Sequence, residues 1–249
     1  MISLSYSRRD IMLKYQYIAK DLMKIIEKEN LKQGDKLPSL EELMEQYQVG
    51  KNTVIKAIDL LEKHGMVYQV RGSGIFIRRH HQKGYINLLE LQGFDSILRE
   101  FELTSKVIEL KVIPAPQKVM ENLKMEEAED VYYVKRIRYI ESQILCIEES
   151  YYKKSIVTYL SKKIASDSIF SYIKDELGLK ISFLDTFLRL VRLNKEQADY
   201  LDLNPGDPGI QVESIFYLNS GETFDYSRII YHPEEAQFFV QANSYYDLL

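Results

Sequence analysis

The order of structural signals in the first eighty residues constrains the fold of this chain more than any other feature. Apolar residues recur at helical spacing in three short segments, and Ser39 and Glu42 form a capping box at the start of the second. We expect Gly50 to end that second helix in the left-handed conformation, and the third helix to start near Lys51. Two strand-like runs then flank a glycine-rich turn, Arg71-Gly72-Ser73-Gly74.

Three helices with a short turn between the second and third, followed by a hairpin, describe a winged helix-turn-helix, so we predict a DNA-binding domain over residues 1–78. Side chains at the N-terminal end of the third helix can meet base edges in the major groove. The glycine tip of the wing can approach the minor groove or phosphates closely. The predicted DNA-binding residues are Ser39, Lys51, Asn52, Thr53, Lys56, Arg71, Gly72, Ser73 and Gly74. The alternative is a small helical bundle with solvated lysines, which the order of the whole set disfavours.

The same segment resembles the DNA-binding domain of GntR-family bacterial transcription regulators. The matching motifs are Gly34-Asp35-Lys36-Leu37-Pro38-Ser39, Val49-Gly50-Lys51-Asn52-Thr53-Val54 and Gly72-x-Gly74. Two positions depart from the family pattern: Glu41 replaces the Arg of a Pro-Ser-Glu-Arg run, and Gly50-Lys51 replaces Ser-Arg. A carboxylate repels phosphate and Lys lacks the bidentate fork of Arg, so we expect an operator that differs from the family's common sequence.

The net charge of −4 argues against a nucleic-acid partner, but the distribution of charge along the chain does not. Residues 1–80 hold 14 Lys and Arg against 10 Asp and Glu, whereas the remainder holds 19 against 27. Opposite signs on the two halves indicate two domains with different partners. The single cysteine, Cys146, excludes an internal disulfide, and no apolar run reaches the roughly 18–20 residues that span a bilayer. We therefore expect a cytoplasmic protein without a membrane partner.

Residues 79–85 are polar and include Gly84, which predicts a linker between the DNA-binding domain and a second domain over residues 86–249. His80 and His81 lie in this linker, but no second Cys/His pair stands at ligand spacing. We therefore expect neither a metal site nor a cofactor.

Strand-like runs rich in Ile, Val, Tyr and Phe alternate with short helices from residue 86 onward, predicting an α+β domain with a mostly antiparallel sheet. The predicted strands are Lys106–Ile113, Val131–Ile140, Ile144–Tyr152, Ile181–Leu193, Ile210–Leu218 and Thr223–Tyr231. The predicted helices are Asp95–Phe101, Gln117–Leu123, Ser168–Leu177 and Lys195–Leu201.

This region resembles the effector-binding UTRA domain of the HutC subfamily of GntR regulators, a domain with a chorismate-lyase-like fold. The matching motifs include Val134-x-Arg136-x-Arg138, Glu148-x-Ser150-Tyr151 and Asp225-Tyr226-Ser227-Arg228. The resemblance implies a homodimer and a pocket for a small-molecule effector, often a sugar phosphate.

Arg136 and Arg138 stand two residues apart on a predicted strand, so both project from one face of the sheet. Two guanidinium groups on one face repel each other, which favours a bound phosphate or carboxylate between them. The alternative is that Glu148 or Glu149, on the next strand, pairs with them across the sheet. Asp95 stands where phosphate-binding members of the family have Thr or Ser. A carboxylate or an amino-containing metabolite therefore remains an alternative to a phosphosugar as the effector. The pocket that the resemblance implies consists of Gln92, Ser96, Arg136, Arg138, Glu148, Ser168, Phe170, Asp225 and Tyr226.

These features predict a homodimeric repressor of a sugar uptake or catabolism operon, bound to a palindromic operator in double-stranded DNA. A small anionic effector such as a sugar phosphate would release it by shifting the population of dimer arrangements. The alternative is a chorismate-lyase-like enzyme acting on a small carboxylate, with Glu148 or Asp225 as general acid–base. The sequence does not favour catalysis, because Cys146 has no nearby His with which to form a nucleophile–base pair.

Overall fold

The computed structural model describes residues 13–78, 84–88, 91 and 101–241. The chain forms two compact units, the first built on residues 13–78 and the second on the described residues between 84 and 240. The predicted helix Asp95–Phe101, apart from its last residue, and most of the predicted linker lie outside the described residues. Within the described ranges, no helix is both long enough and apolar enough to cross a membrane.

The described part of the first unit contains three helices and a two-stranded hairpin, as the sequence pattern predicts. The elements are α1 (Lys14–Lys28), α2 (Leu40–Tyr47), α3 (Lys51–Lys63), β1 (Val67–Val70) and β2 (Gly74–Ile77). Helical spacing puts the apolar residues on one face of each helix, and these faces meet in a single core. The core residues include Leu22, Leu43, Val54, Ile58, Leu61 and Ile75.

The two ends of α2 test the sequence predictions differently. The capping box at the start of α2 is confirmed: Ser39 Oγ accepts a hydrogen bond from the Glu42 amide at 3.3 Å, and the Ser39 amide donates to Glu42 Oε2 at 2.7 Å. The prediction for Gly50 is wrong, because this residue is the extended N-cap of α3 with a φ of −73°. Gln48 takes the left-handed conformation instead, with a φ of 49°, since α2 already ends at Tyr47.

The second unit contains a six-stranded antiparallel sheet, which confirms the predicted α+β class. In chain order, the strands of the described residues are β3 (Tyr85–Ile86), β4 (Leu103–Pro114), β5 (Asp130–Ile140), β6 (Gln143–Lys153), β7 (Ile181–Arg192), β8 (Pro208–Leu218), β9 (Thr223–Tyr231) and β10 (Gln237–Phe238). The six-stranded sheet has the order β4-β5-β6-β9-β8-β7, and β10 pairs separately with β3 in parallel. Tyr85, at the end of the predicted linker, therefore already lies in a strand.

Short helices pack against this sheet. Those in the described residues are α4 (Gln117–Asn122), α5 (Lys162–Ser166), α6 (Ile169–Ser171), which continues as a π-helical turn over Tyr172–Glu176, and α7 (Lys195–Leu201). The predicted helices do not include α5. Ser161 is its N-cap residue, and Ser161 Oγ accepts a hydrogen bond from the Ile164 amide at 3.3 Å. The aromatic ring of Phe170, in α6, packs 4.8 Å from the ring of Phe216 in β8, which fixes α6 against one face of the sheet.

Candidate functional site

The N-terminal end of α3 presents a cluster of polar side chains to solvent. Lys51, Asn52 and Lys56 are exposed and Thr53 is half-buried, whereas Val54 in the same turn is fully buried in the core. The first turn of this helix contains no acidic residue, and its free N–H groups carry partial positive charge. Such a helix end can bind phosphate and bring side chains to base edges in the major groove.

The turn between β1 and β2 forms an exposed tip with Arg71, Gly72 and Ser73. Gly72 has a φ of 77° and Gly74 a φ of 128°, conformations that side-chain-bearing residues rarely adopt. A Cβ atom at Gly74 would also lie 2.5 Å from Lys36 Cε. At Gly72, by contrast, a Cβ atom would meet nothing within 4 Å. The backbone at Gly72 is therefore open for close approach to a phosphate, with Arg71 next to it in the chain.

Ser39 is half-buried, and its hydroxyl already caps α2, which gives this predicted DNA contact a structural role. Replacing Ser39 with alanine should destabilise the first unit by about 1 kcal/mol, because the cap is lost. Replacing it with aspartate keeps a capping oxygen, so stability should change by only a few tenths of a kcal/mol, while the added charge should weaken DNA binding. Thermal unfolding and fluorescence anisotropy on duplex DNA measure the two effects. If S39D binds DNA as tightly as wild type does, Ser39 does not contact DNA.

A buried ion-pair cluster lies on one face of the second unit's sheet, where β5 and β6 run side by side. Arg136 Nη2 donates to Glu148 Oε1 and Arg138 Nε donates to Glu148 Oε2, both at 2.6 Å. Arg136 Nη1 also donates to the carbonyl of Ala165 at 2.8 Å. The cross-strand pairing that the sequence left open as an alternative is therefore present, with Glu148 shared between both arginines.

Hydroxyl groups extend this cluster across β6 to β9. Ser150 Oγ donates to Glu148 Oε1 at 2.9 Å, and Ser227 Oγ lies 3.0 Å from Ser150 Oγ. Ser227 Oγ donates to Asp225 Oδ1 at 2.7 Å. The result is a continuous polar network over three strands, and its members are buried.

The two carboxyl groups of the network have opposite protonation preferences. Burial opposes the ionisation of Glu148, but the guanidinium groups of Arg136 and Arg138 outweigh it and lower its pKa to about 2. Burial raises the pKa of Asp225 well above its ordinary value; the hydrogen bond from Ser227 acts against this and the charge of Glu148 adds to it. The network thus favours the ionised form of Glu148, between the two guanidinium groups, and the neutral form of Asp225.

Two buried polar atoms of this network have no hydrogen-bond partner among the described residues: Asp225 Oδ2 and Arg136 Nε. A buried polar atom without a partner costs free energy, so each of these atoms is a potential contact for a ligand or a water.

A cavity of about 70 Å³ opens onto the network, several times the space that one water molecule needs. Its polar wall consists of Asn87, Arg138, Glu148, Ser214 and Ser227. Its apolar wall includes Phe170, Val212, Phe216, Ile229 and Tyr231. A ring of apolar side chains around a few convergent polar groups is typical of a small-molecule pocket.

The structure brings together some of the predicted effector residues and separates others. Arg136, Arg138, Glu148 and Asp225 share the network, and Phe170 lines the cavity. Gln92 and Ser96 lie outside the described residues.

Ser168 and Tyr226 do not reach the cavity. Ser168 caps α6, where its Oγ accepts a hydrogen bond from the Ser171 amide at 3.3 Å. The sequence predicts Tyr226 in the effector pocket, but its side chain lies on the opposite face of the sheet. Its hydroxyl donates there to Glu213 Oε2 at 2.9 Å. The reason is the two-residue period of a strand, which points Asp225 and Tyr226 to opposite faces. The same period makes Ser227 a pocket residue, and the sequence reading missed it.

Replacing Asp225 with asparagine should stabilise the second unit at neutral pH. A carboxyl group whose pKa is raised in the folded state contributes stability at low pH, and this contribution is lost as the pH rises above its unfolded value of about 3.9. The melting temperature of D225N should therefore exceed that of wild type at pH 8 and approach it near pH 4. Asp199→Asn, at an exposed position on α7, is the control. An equal pH trend in both variants would contradict the assignment.

Comparison with known proteins identifies matches to both units. The model of the gntR family of bacterial regulatory proteins matches residues 14–77, and the model of the UTRA domain matches residues 98–237. The HTH-type transcriptional regulator YydK of Bacillus subtilis (strain 168) is 56% identical, and the alignment covers 94% of this chain and 99% of the relative. The crystal structure of YydK superposes with a TM-score of 0.83, covering 93% of this chain and 100% of that one at 55% identity. The mannosyl-D-glycerate transport/metabolism system repressor MngR of Escherichia coli (strain K12) is 24% identical over 90% of this chain and 93% of its own length.

Proposed function

The chain belongs to the GntR family of bacterial regulatory proteins, with a UTRA domain after the DNA-binding domain, and from this premise we propose that it represses an operon for uptake or catabolism of a sugar. As a member of this family it is a transcription regulator that binds DNA and a small-molecule effector. The enzyme alternative is wrong, since the family and its relatives are regulators. In the proposal, residues 1–78 bind DNA, 79–85 link the domains, and 86–249 bind the effector and dimerise.

The exposed N-terminal end of α3 is the observation that carries the DNA-binding part of the proposal. Lys51, Asn52, Thr53 and Lys56 face away from the core, and the glycine tip with Arg71 forms a second contact point. A homodimer would present two such surfaces to the two half-sites of a palindromic operator.

The lining of the cavity supports a small anionic effector. The Arg138 guanidinium stands in its polar wall, and Phe170, Phe216 and Tyr231 stand in its apolar wall. A sugar bearing a phosphate or a carboxylate fits this combination, because the anion meets a guanidinium group and the ring packs on aromatic side chains. The relative MngR is a repressor named for a sugar derivative, mannosyl-D-glycerate, which agrees with this class.

Replacing Arg138 with glutamine tests the effector part directly. The change leaves Glu148 paired with Arg136 but removes a guanidinium group from the cavity wall, so the affinity for an anionic sugar should fall about 10- to 100-fold, while DNA binding is retained. Lys135→Gln is the matched control: it removes the same charge from the same strand, but Lys135 faces the other side of the sheet, where it pairs with Glu149 and Glu196.

The effector itself can be found by a thermal-shift screen of sugar phosphates and sugar acids on the wild-type chain. A ligand at 100 times its Kd should stabilise the folded state by about 2.7 kcal/mol. The hit should release the protein from operator DNA in wild type and K135Q but not in R138Q. Equal release in R138Q and K135Q would contradict an anion site at Arg138.

A further inference from the structure

The segment between α1 and α2 lies alongside the wing, the hairpin of β1 and β2. The Gly34 amide donates to the carbonyl of Ile77 at 2.9 Å, and Lys36 pairs with Phe76 in antiparallel fashion. A strand has two edges, and β2 uses one of them for β1, so this segment occupies the other. Lys36 is therefore part of the wing, although it precedes α2 and α3 in the chain.

The Lys36 side chain lies across the place that a side chain at Gly74 would occupy. A Cβ atom at Gly74 would be 2.5 Å from Lys36 Cε, 3.2 Å from Nζ and 3.7 Å from Cδ. Gly74 stands two positions before Phe76, on the same face of β2, so the aliphatic stem of Lys36 runs along this face toward the glycine turn. Lys36 is exposed. Its ammonium group therefore meets solvent close to the turn that contains Arg71.

The Lys36 ammonium also lies near the start of α2. The hydrogen bonds that Glu42 forms with Ser39 lower its pKa, and the charge of Lys36 lowers it further. The first turn of α2 carries two carboxylates, Glu41 and Glu42, which repel a phosphate. No ion pair or side-chain hydrogen bond within residues 13–78 engages the Lys36 ammonium. This cation is therefore open to an anionic partner between the wing and the start of α2.

We propose that Lys36 binds a DNA phosphate, with its stem seated on Gly74 so that its ammonium stands beside the glycine turn. This deepens the DNA-binding part of the proposed function, rests on it, and adds a residue that the sequence did not predict to contact DNA. A lysine offers a point charge rather than the fork of an arginine, which suits the phosphodiester backbone. Its charge also offsets the carboxylates of Glu41 and Glu42 when DNA approaches. A phosphate contact of this kind strengthens binding to DNA of any sequence.

Replacing Lys36 with methionine tests the contact, because methionine keeps an aliphatic stem over Gly74 and removes the charge. Fluorescence anisotropy of a labelled, mixed-sequence DNA duplex, titrated with the full chain at several salt concentrations, measures the affinity. We expect K36M to bind about three- to tenfold more weakly at low salt, and its slope of log affinity against log salt to be shallower by about 1. K36R keeps the charge and should retain the affinity and the slope of wild type.

Lys32→Met is the matched control. Lys32 is an exposed residue of the same segment, but its ammonium donates to Asn30 Oδ1 at 2.5 Å, so K32M should bind the duplex as wild type does. Wild-type affinity and slope in K36M, or equal changes in K36M and K32M, would overturn the assignment of Lys36 and leave the proposed function intact. If K36M binds as wild type does but Lys36→Ala binds weakly, Lys36 only packs over Gly74 and the assignment is wrong. A wild-type chain that binds no duplex would overturn the DNA-binding function, and the Lys36 contact with it.

Discussion

Replacing Glu148 with alanine should lower the free energy of unfolding of the second unit by about 3–5 kcal/mol. The change leaves the guanidinium groups of Arg136 and Arg138, which are 1% and 6% exposed, without their shared counter-charge, and it removes a partner of Ser150. For a unit of this size the loss corresponds to about 6–20 °C in melting temperature. Differential scanning calorimetry of the full chain measures it.

The neighbouring Glu149→Ala is the matched control for this prediction. Glu149 lies on the opposite face of the same strand and also pairs with two cations, Lys135 and Arg228. Its side chain is 26% exposed, so water can solvate the partners that remain and the loss should be clearly smaller. If E148A and E149A lose the same free energy of unfolding, burial of the ion pairs around Glu148 does not determine the effect.

The same cluster sets the acid stability of the second unit. The pKa of Glu148 is lowered to about 2 in the folded state, so its contribution is present above its unfolded value of about 4.3 and is lost as the pH falls toward 2. We expect the melting temperature of wild type to fall over this interval and that of Glu148→Gln to fall less. Parallel curves would contradict the assignment.

The second large effect is expected at α3. Replacing Lys51 and Asn52 together with alanine should weaken binding to the specific operator about 100-fold or more, since each removes one base or phosphate contact worth about 1–3 kcal/mol. Both side chains are exposed, so folding should be unaffected. Fluorescence anisotropy at several salt concentrations measures the affinity.

The salt dependence separates the two contributions. Asn52→Ala should lower affinity for the operator without changing the slope of log affinity against log salt, because an amide neutralises no phosphate. Lys51→Ala should reduce the slope by about 1 if it meets a phosphate. Lys24→Ala, which removes the same charge from an exposed position in α1, is the control. Equal effects of K24A and K51A would mean that only overall charge matters.

The fold of the first unit could be predicted from local sequence patterns because its elements are determined by residues close to each other in the chain. The capping box of Ser39 and Glu42 and the apolar faces of three helices are read from residues within a few positions of each other. The residue in the left-handed conformation is Gln48, two positions before the predicted Gly50. Glycine is the cheapest residue in that conformation, but the length of α2 decides where it occurs.

The pocket of the second unit could be predicted only in part because it is assembled from strands distant in sequence. The pairing of Arg136 with Glu148 follows from one hairpin, and the sequence offered it as an alternative. The hydroxyl bridge from Ser150 to Ser227 requires β6 to pair with β9, which no local periodicity specifies. Asp225 and Tyr226 belong to one family motif, but strand alternation points their side chains to opposite faces of the sheet, which a motif match does not specify.

Selection of duplexes from a random pool by the purified full-length chain tests the central claim most directly, because it assumes no operator sequence. The account predicts enrichment of a palindrome, salt-sensitive binding to it, and loss of that binding in the Lys51 and Asn52 double variant. Recovery of unenriched sequence, or of an operator that the double variant binds as tightly as wild type, would contradict it.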